Sequence, residues 1–297
     1  MTNRCFCCAR NCGSDRSSGK SFCGETETLR IARAALHHWE EPCISGTKGS
    51  GTIFFCGCSL RCIYCQNYDI SNSVKGTEIS VERLREIYFE LIEQGAHNIN
   101  FVTPSHFTEG ILKSLENLSL PIPVVYNTNG YDSVENLKRF QNKVQIYLPD
   151  LKYADNELAA KFSHAPDYFE KACSAIDEMF RQCSAYKMND DGLLTSGVVI
   201  RHLILPGHLE NSKKVIDYVA SRFKPGEVLF SLMRQYTPCG SIENFPELQR
   251  PLSDDEYDEV KDYLFASGIE DGFLQDKESA SEAFIPPFNG EGVLKNS

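Results

Sequence analysis

The chain has 297 residues, 41% of them hydrophobic, and a formal net charge of −11. That length supports a sizeable core and suits one α/β barrel with a short appendage, and no apolar run approaches the length of a membrane-spanning helix. The acidic balance argues against a nucleic-acid partner, because binding a phosphate backbone requires a positive field.

The first 25 residues contain Arg4, Arg10, Arg16 and Lys20 and no apolar stretch, so no secretory signal is expected. The thirteen cysteines are then metal ligands or free thiols in a reducing, cytoplasmic setting rather than disulfides. Cys5, Cys8, Cys12 and Cys23 follow C-x2-C-x3-C-x10-C in a segment rich in Arg, Asn, Ser and Gly that cannot build a core by itself. A metal would fold it: zinc in a closed set of four thiolates is the first reading and an auxiliary iron-sulfur cluster the second. Cys7 blurs the register.

From about Gly51 onward, β-rich runs alternate with amphipathic segments, the pattern of β-α units around a parallel sheet. Six strands are predicted: Thr52 to Cys56, Asn98 to Val102, Pro123 to Asn127, Val144 to Leu148, Gly197 to Leu205 and Val228 to Leu232. Between them, Ser80 caps a helix with apolar positions Val81, Leu84, Ile87, Tyr88, Leu91 and Ile92, stopped by Gly95. Val215, Ile216, Val219 and Phe223 line another, and Ser253 with Glu256 forms a capping box before a third. In such an array the C-terminal strand ends carry the chemistry, and polar residues recur there: Thr103, Asn127 to Asn129, Asp150 and Gln235.

The first strand runs into Cys58, Cys62 and Cys65, spaced C-x3-C-x2-C with Tyr64 before the last. A cubane needs four ligands, so three thiolates leave one iron open to a small molecule. A structural zinc site, the competing reading, needs a second pair to close its tetrahedron; the next cysteines are the scattered Cys173, Cys183 and Cys239. Cys56 reads as a small apolar residue ending the strand.

This loop resembles that of the radical S-adenosylmethionine (SAM) superfamily. The resemblance implies a 4Fe-4S cluster whose open iron chelates SAM, reductive cleavage to a 5'-deoxyadenosyl radical, and an oxygen-poor environment. It also implies an α/β fold, a partial (β/α)6 barrel, to which the N-terminal cysteines add a small cysteine-rich metal knuckle. The expected division is a cysteine-rich segment over 1–45, the barrel over 46–275 and an irregular tail over 276–297. A closer resemblance, to pyruvate formate-lyase activating enzyme-like proteins, rests on His38 to Gly46, Gly49 to Thr52, Gln66-Asn67 after the cysteines, Val102-Thr103-Pro104, Tyr147 to Tyr153 and Arg201 to Gly207. It implies a glycyl-radical enzyme or another protein or peptide as substrate, and a reductant such as flavodoxin or ferredoxin. Asp150 and Arg201 match positions that organise SAM, with Arg201 at its carboxylate, Tyr64 against adenine, and Asn127 or Thr128 near the ribose.

An arginine in the apolar run Val198 to Leu205 must face a polar lumen and meet a carboxylate, either that of SAM or an internal Asp or Glu. His202, one residue on, points to the other face and reads as a hydrogen-bonded core histidine. The Gly-Gly-Glu type turn common in the superfamily is replaced by Thr103-Pro104-Ser105-His106, whose carbonyls or hydroxyls, those of Thr103 among them, can accept the SAM ammonium instead. Radical modification of a small molecule or RNA, and a non-catalytic iron-sulfur or zinc scaffold, are the alternative functions.

Overall fold

The structure is a computed structural model that describes residues 4–17, 21–72, 75–276 and 285–295. Its strands are β1 (Arg30–His37), β2 (Ser50–Phe55), β3 (Thr77–Glu78), β4 (Ile99–Val102), β5 (Val124–Thr128), β6 (Ile146–Pro149), β7 (Lys187–Met188), β8 (Leu194–Leu203), β9 (Leu229–Met233) and β10 (Gly272–Leu274). They form one sheet in the order β10-β9-β8-β6-β5-β4-β2-β1-β3, with β7 beside β8. The pairs from β2 through β10 along that order are parallel. Their central members are buried on both faces, β2 and β5 at every residue, as parallel strands flanked by helices must be. The fold is therefore an open α/β barrel, and all six predicted strands lie within it.

Helices Val81–Glu93, Leu209–Arg222 and Asp254–Ala266 occupy the predicted places. Ser80 accepts from the Arg83 N–H, and the Ser253–Glu256 capping box is formed in both directions. The 16-residue helix Tyr168–Cys183 was not foreseen; its buried Ala172, Ala175, Ile176 and Met179 seat it on the crossover between β6 and β8. β1 lies before the barrel's expected start at residue 46, yet it runs antiparallel to β2 along most of its length. The sheet thus begins at Arg30. In the tail, Gly290 N donates to Ala32 O, Glu291 pairs with Arg33, and Phe288 meets Phe54 edge-on, so residues 285–295 cover β1. Among the described residues no helix is long and apolar enough to cross a membrane.

Candidate active site

The cysteine loop leaves β2 through buried Cys56, whose thiol donates to Lys75 O at 2.8 Å. Gly57 follows at φ 78°, and a Cβ there would lie 2.6 Å from Cys23 O, so only glycine lets the N-terminal segment pass this close. Cys58 N donates to that same carbonyl, Ile63 N to Phe162 O, and Cys65 N to Cys62 O, which fixes the loop at several points. Cys58, Cys62 and Cys65 then line a single cavity of about 170 Å³. The Ser163 hydroxyl donates to Cys62 Sγ at 2.9 Å and the Asn129 amide to Cys58 Sγ at 3.3 Å. Burial, then the neighbouring thiols, push Cys62 up to about 12 although Lys152 works the other way; Cys65 is raised by burial and by Cys58. Three soft donors on one short loop, facing one cavity, fit an iron-sulfur cluster.

The same cavity is lined by Tyr64, Thr103, Asn127, Thr128, Asp150 and Arg201, so every cofactor residue expected from the sequence converges there. The side chains of Tyr64, Asn127, Thr128, Asp150 and Arg201 are already engaged. Arg201 reaches Asp150 Oδ1 (Nε 3.0 Å, Nη2 2.9 Å), Glu40 Oε2 (3.1 Å) and Asn127 Oδ1 (2.6 Å). The internal carboxylates anticipated for this guanidinium are Asp150 and Glu40. Asn127 donates to Glu40 Oε1, and the Thr128 hydroxyl donates to buried Asp132 at 2.5 Å. Tyr64 shares a hydrogen bond with the Tyr153 hydroxyl at 2.6 Å and packs edge-on to Phe162, forming part of the cavity wall. Thr103 stands at φ 57°, a left-handed backbone that costs a β-branched residue of order 1–3 kcal/mol, and strain of this kind concentrates at functional sites. His202 bonds Leu151 O and Ser212 Oγ on the other face of β8 and is fully buried.

Sequence reasoning missed Lys152, Glu40 and Glu41. Lys152 Nζ lies 2.6 Å from Asp150 Oδ2 and also lines the cysteine cavity. Burial opposes the ionised form of Asp150, but Arg201 and Lys152 together hold it below the usual carboxylate range. Burial raises Glu40 and Glu41, more than Arg201 can offset. The signals were present: Lys152 is two residues from Asp150, and an acidic pair between the apolar β1 and Pro42 has reason to be buried.

The N-terminal segment covers the loop. Arg10 donates to Ser59 O and His164 O, both at 2.7 Å, and its guanidinium stacks 3.8 Å from the Phe22 ring centre. Cys5, Cys8 and Cys23 are buried, but Cys12 is exposed, and Cys7 instead joins Cys5 beside Arg16, whose Nη1 lies 3.9 and 4.0 Å from their sulfurs. Cys12, one of the four expected from spacing, thus stands at the surface beside a turn with Asn11 at φ 46°. Among the described residues no three His, Cys, Asp or Glu side chains are disposed to share one metal ion. A cubane, by contrast, takes one thiolate per iron and spreads its ligands further apart.

Residues 52–219 match the family model of the radical SAM superfamily. An uncharacterized protein of Methanocaldococcus jannaschii, MJ0674, is 30% identical over 269 residues, 88% of this chain and 73% of the relative. Among solved structures, methylornithine synthase (PylB) superposes with a TM-score of 0.51 at 15% identity, over 90% of this chain and 75% of that one. HydG, a maturase of the [FeFe]-hydrogenase, does so with a TM-score of 0.52 at 16% identity, over 76% of this chain; the alignment spans about half, 52%, of that maturase. The chain belongs to the radical SAM superfamily, whose cofactors are a 4Fe-4S cluster and SAM, and the two structures share its fold.

Proposed function

We propose that this radical SAM enzyme abstracts hydrogen from a protein or peptide position, in the manner of the activating enzymes of glycyl-radical proteins, with flavodoxin or ferredoxin as electron donor. The observation that carries the reading is the convergence of three thiols and a charged wall of Asp150, Lys152 and Arg201 on one cavity, which shares lining residues with a second chamber of about 480 Å³. When bound, the cluster and SAM supply the electron and the sulfonium whose cleavage gives a 5'-deoxyadenosyl radical. Cys58, Cys62 and Cys65 would each hold one iron. Arg201 and Lys152, which flank Asp150 on the same wall, would together meet the SAM carboxylate, with Asp150 holding both cations in place. Thr103 would accept from the SAM ammonium, and the Tyr64 backbone would border the adenine. Asn127 and Thr128, bound to Glu40 and Asp132, would space this wall. The N-terminal segment would shield the loop, and any zinc or second cluster there would draw on Cys5, Cys7, Cys8 and Cys23.

The test is anaerobic reconstitution with iron, sulfide and a strong reductant, followed by addition of SAM. Methionine and 5'-deoxyadenosine should form, and a deuterated protein partner should pass deuterium into the 5'-deoxyadenosine. Intact SAM would overturn the radical reading, and label transfer only from small molecules would overturn the protein substrate.

A further inference from the structure

Beyond the cysteine cavity, the lumen continues into the larger chamber, bordered in common by Gln66, Asn67, Asn127, Arg201 and Thr237. Glu40, Glu41, His37, His38 and Ser231 line only this second space. Its charges do not balance internally. Arg201 meets Asp150 and Glu40, and Lys152 meets Asp150, which leaves Glu41 outside every ion pair of the described residues. Glu41 is 8% exposed, and its Oε2 is buried with no hydrogen-bond donor among the described residues. A carboxylate oxygen in that state is costly unless a donor arrives, more so than a neutral group. A second acceptor, Asn67 Oδ1, is also buried without a donor and borders the same chamber. His37 supplies no cation, because burial and then Arg33 press it down to about 4.

We propose that the chamber is a substrate subsite for a primary ammonium group, which docks on the Glu41 carboxylate with Asn67 Oδ1 as second acceptor. The inference rests on the radical SAM reading only in calling the occupant a substrate. The choice of ammonium follows from the geometry of the acceptors. Ser231 sits against the same carboxyl group, so a guanidinium fork would find a single free oxygen there rather than two. The remaining acceptor belongs to a different loop. Three rotatable donors on a compact ammonium suit two acceptors on separate elements better than a rigid planar fork does. The ammonium belongs either to a lysine side chain of a peptide or to a free amine.

The experiment titrates the reconstituted enzyme calorimetrically, with SAM present, using Nα-acetyl-lysine methylamide, its isostere Nα-acetyl-norleucine methylamide, and 1-aminobutane. The lysine derivative should bind about tenfold or more tighter than the norleucine derivative, and Glu41→Gln should remove that difference. Tighter binding of the lysine derivative than of aminobutane assigns the ammonium to a peptide; the reverse assigns it to a free amine. Equal affinity for the lysine and norleucine probes in the unsubstituted enzyme overturns the proposal whether or not the variant folds, as does binding of neither amine. Cleavage of SAM is scored separately in the unsubstituted enzyme. If SAM is cleaved and no ammonium binds, this subsite alone is wrong; if an ammonium binds and SAM stays intact, the radical reading is wrong and the subsite stands.

Discussion

Two groups of cysteines lie against each other in this fold, joined where Cys58 N donates to Cys23 O, and their surroundings differ. Cys58, Cys62 and Cys65 face a cavity with Lys152 and Asp150 on its wall, whereas Cys5 and Cys7 face Arg16, which also donates to the carbonyls of His106 and Thr26. Both groups border open space and a cation, but Lys152 beside the first is held by the Asp150 carboxylate, whereas Arg16 beside the second is held by backbone carbonyls. The side chain is the same in both, so what a thiol faces decides its use more than its spacing does.

The sharpest way to break that contrast is Cys62→Ala. Removing the most deeply placed of the three thiols should abolish both iron incorporation and 5'-deoxyadenosine formation, read by iron analysis and chromatography. A variant that kept a full iron complement and cleaved SAM would end the assignment of this loop to the cluster.

Next in size is Arg201→Leu, which leaves Glu40 and Asp150 facing each other in the lumen with only Lys152 to compensate. Loss of one member of a buried ion network should cost about 3–5 kcal/mol in urea denaturation. A loss below about 1 kcal/mol would mean that these carboxylates do not depend on the guanidinium.

Acid sensitivity sharpens the comparison through groups outside both cysteine clusters. Burial lowers His202 to about 4, and burial followed by Arg16 lowers His106 to about 3. Each is neutral when folded and takes up a proton on unfolding. Their contribution is therefore complete above the unfolded value of 6.5 and is lost as pH falls toward 4 and then 3. Glu40 and Glu41, raised in the folded state, act in the opposite sense: they stabilise below their ordinary 4.5 and lose that contribution as pH rises through their folded values. Urea midpoints between pH 7 and 5 should fall on acidification, and more steeply in Glu41→Gln, which lacks one opposing group. An unchanged slope in the variant would show that Glu41 is ionised throughout.

Much of this was legible in the sequence because local rules governed it. Period-2 and period-3.6 patterns gave the six parallel strands and three helices, and alternation along β8 alone put Arg201 toward the lumen and His202 into the core. The hidden part depends on contacts distant in sequence. Glu40 meets Arg201 across 161 residues, and β1 is recognisable as sheet only once β2 lies beside it. The exposure of Cys12 and the place of Cys7 next to Cys5 have the same origin, because spacing does not show which way each side chain faces.

The smallest expected effect tests that arrangement directly. Cys8 is buried, pushed up to about 12 by burial, and its residue bridges to Asp132 in the turn after β5, while Ala9 N donates to Tyr131 O. Cys8→Ala should therefore cost about 1–2 kcal/mol through lost packing while SAM cleavage persists, since the thiol lies outside the cysteine cavity. Cys12 is exposed, and Cys12→Ala should stay within about 0.5 kcal/mol. If the N-terminal segment instead closed on a metal through Cys12, both substitutions would remove a ligand and destabilise alike, because metal-binding energy in so small a segment is folding energy. Equal losses in the two variants, accompanied by zinc or iron released on Cys12→Ala, would establish the four-cysteine set that the spacing suggests.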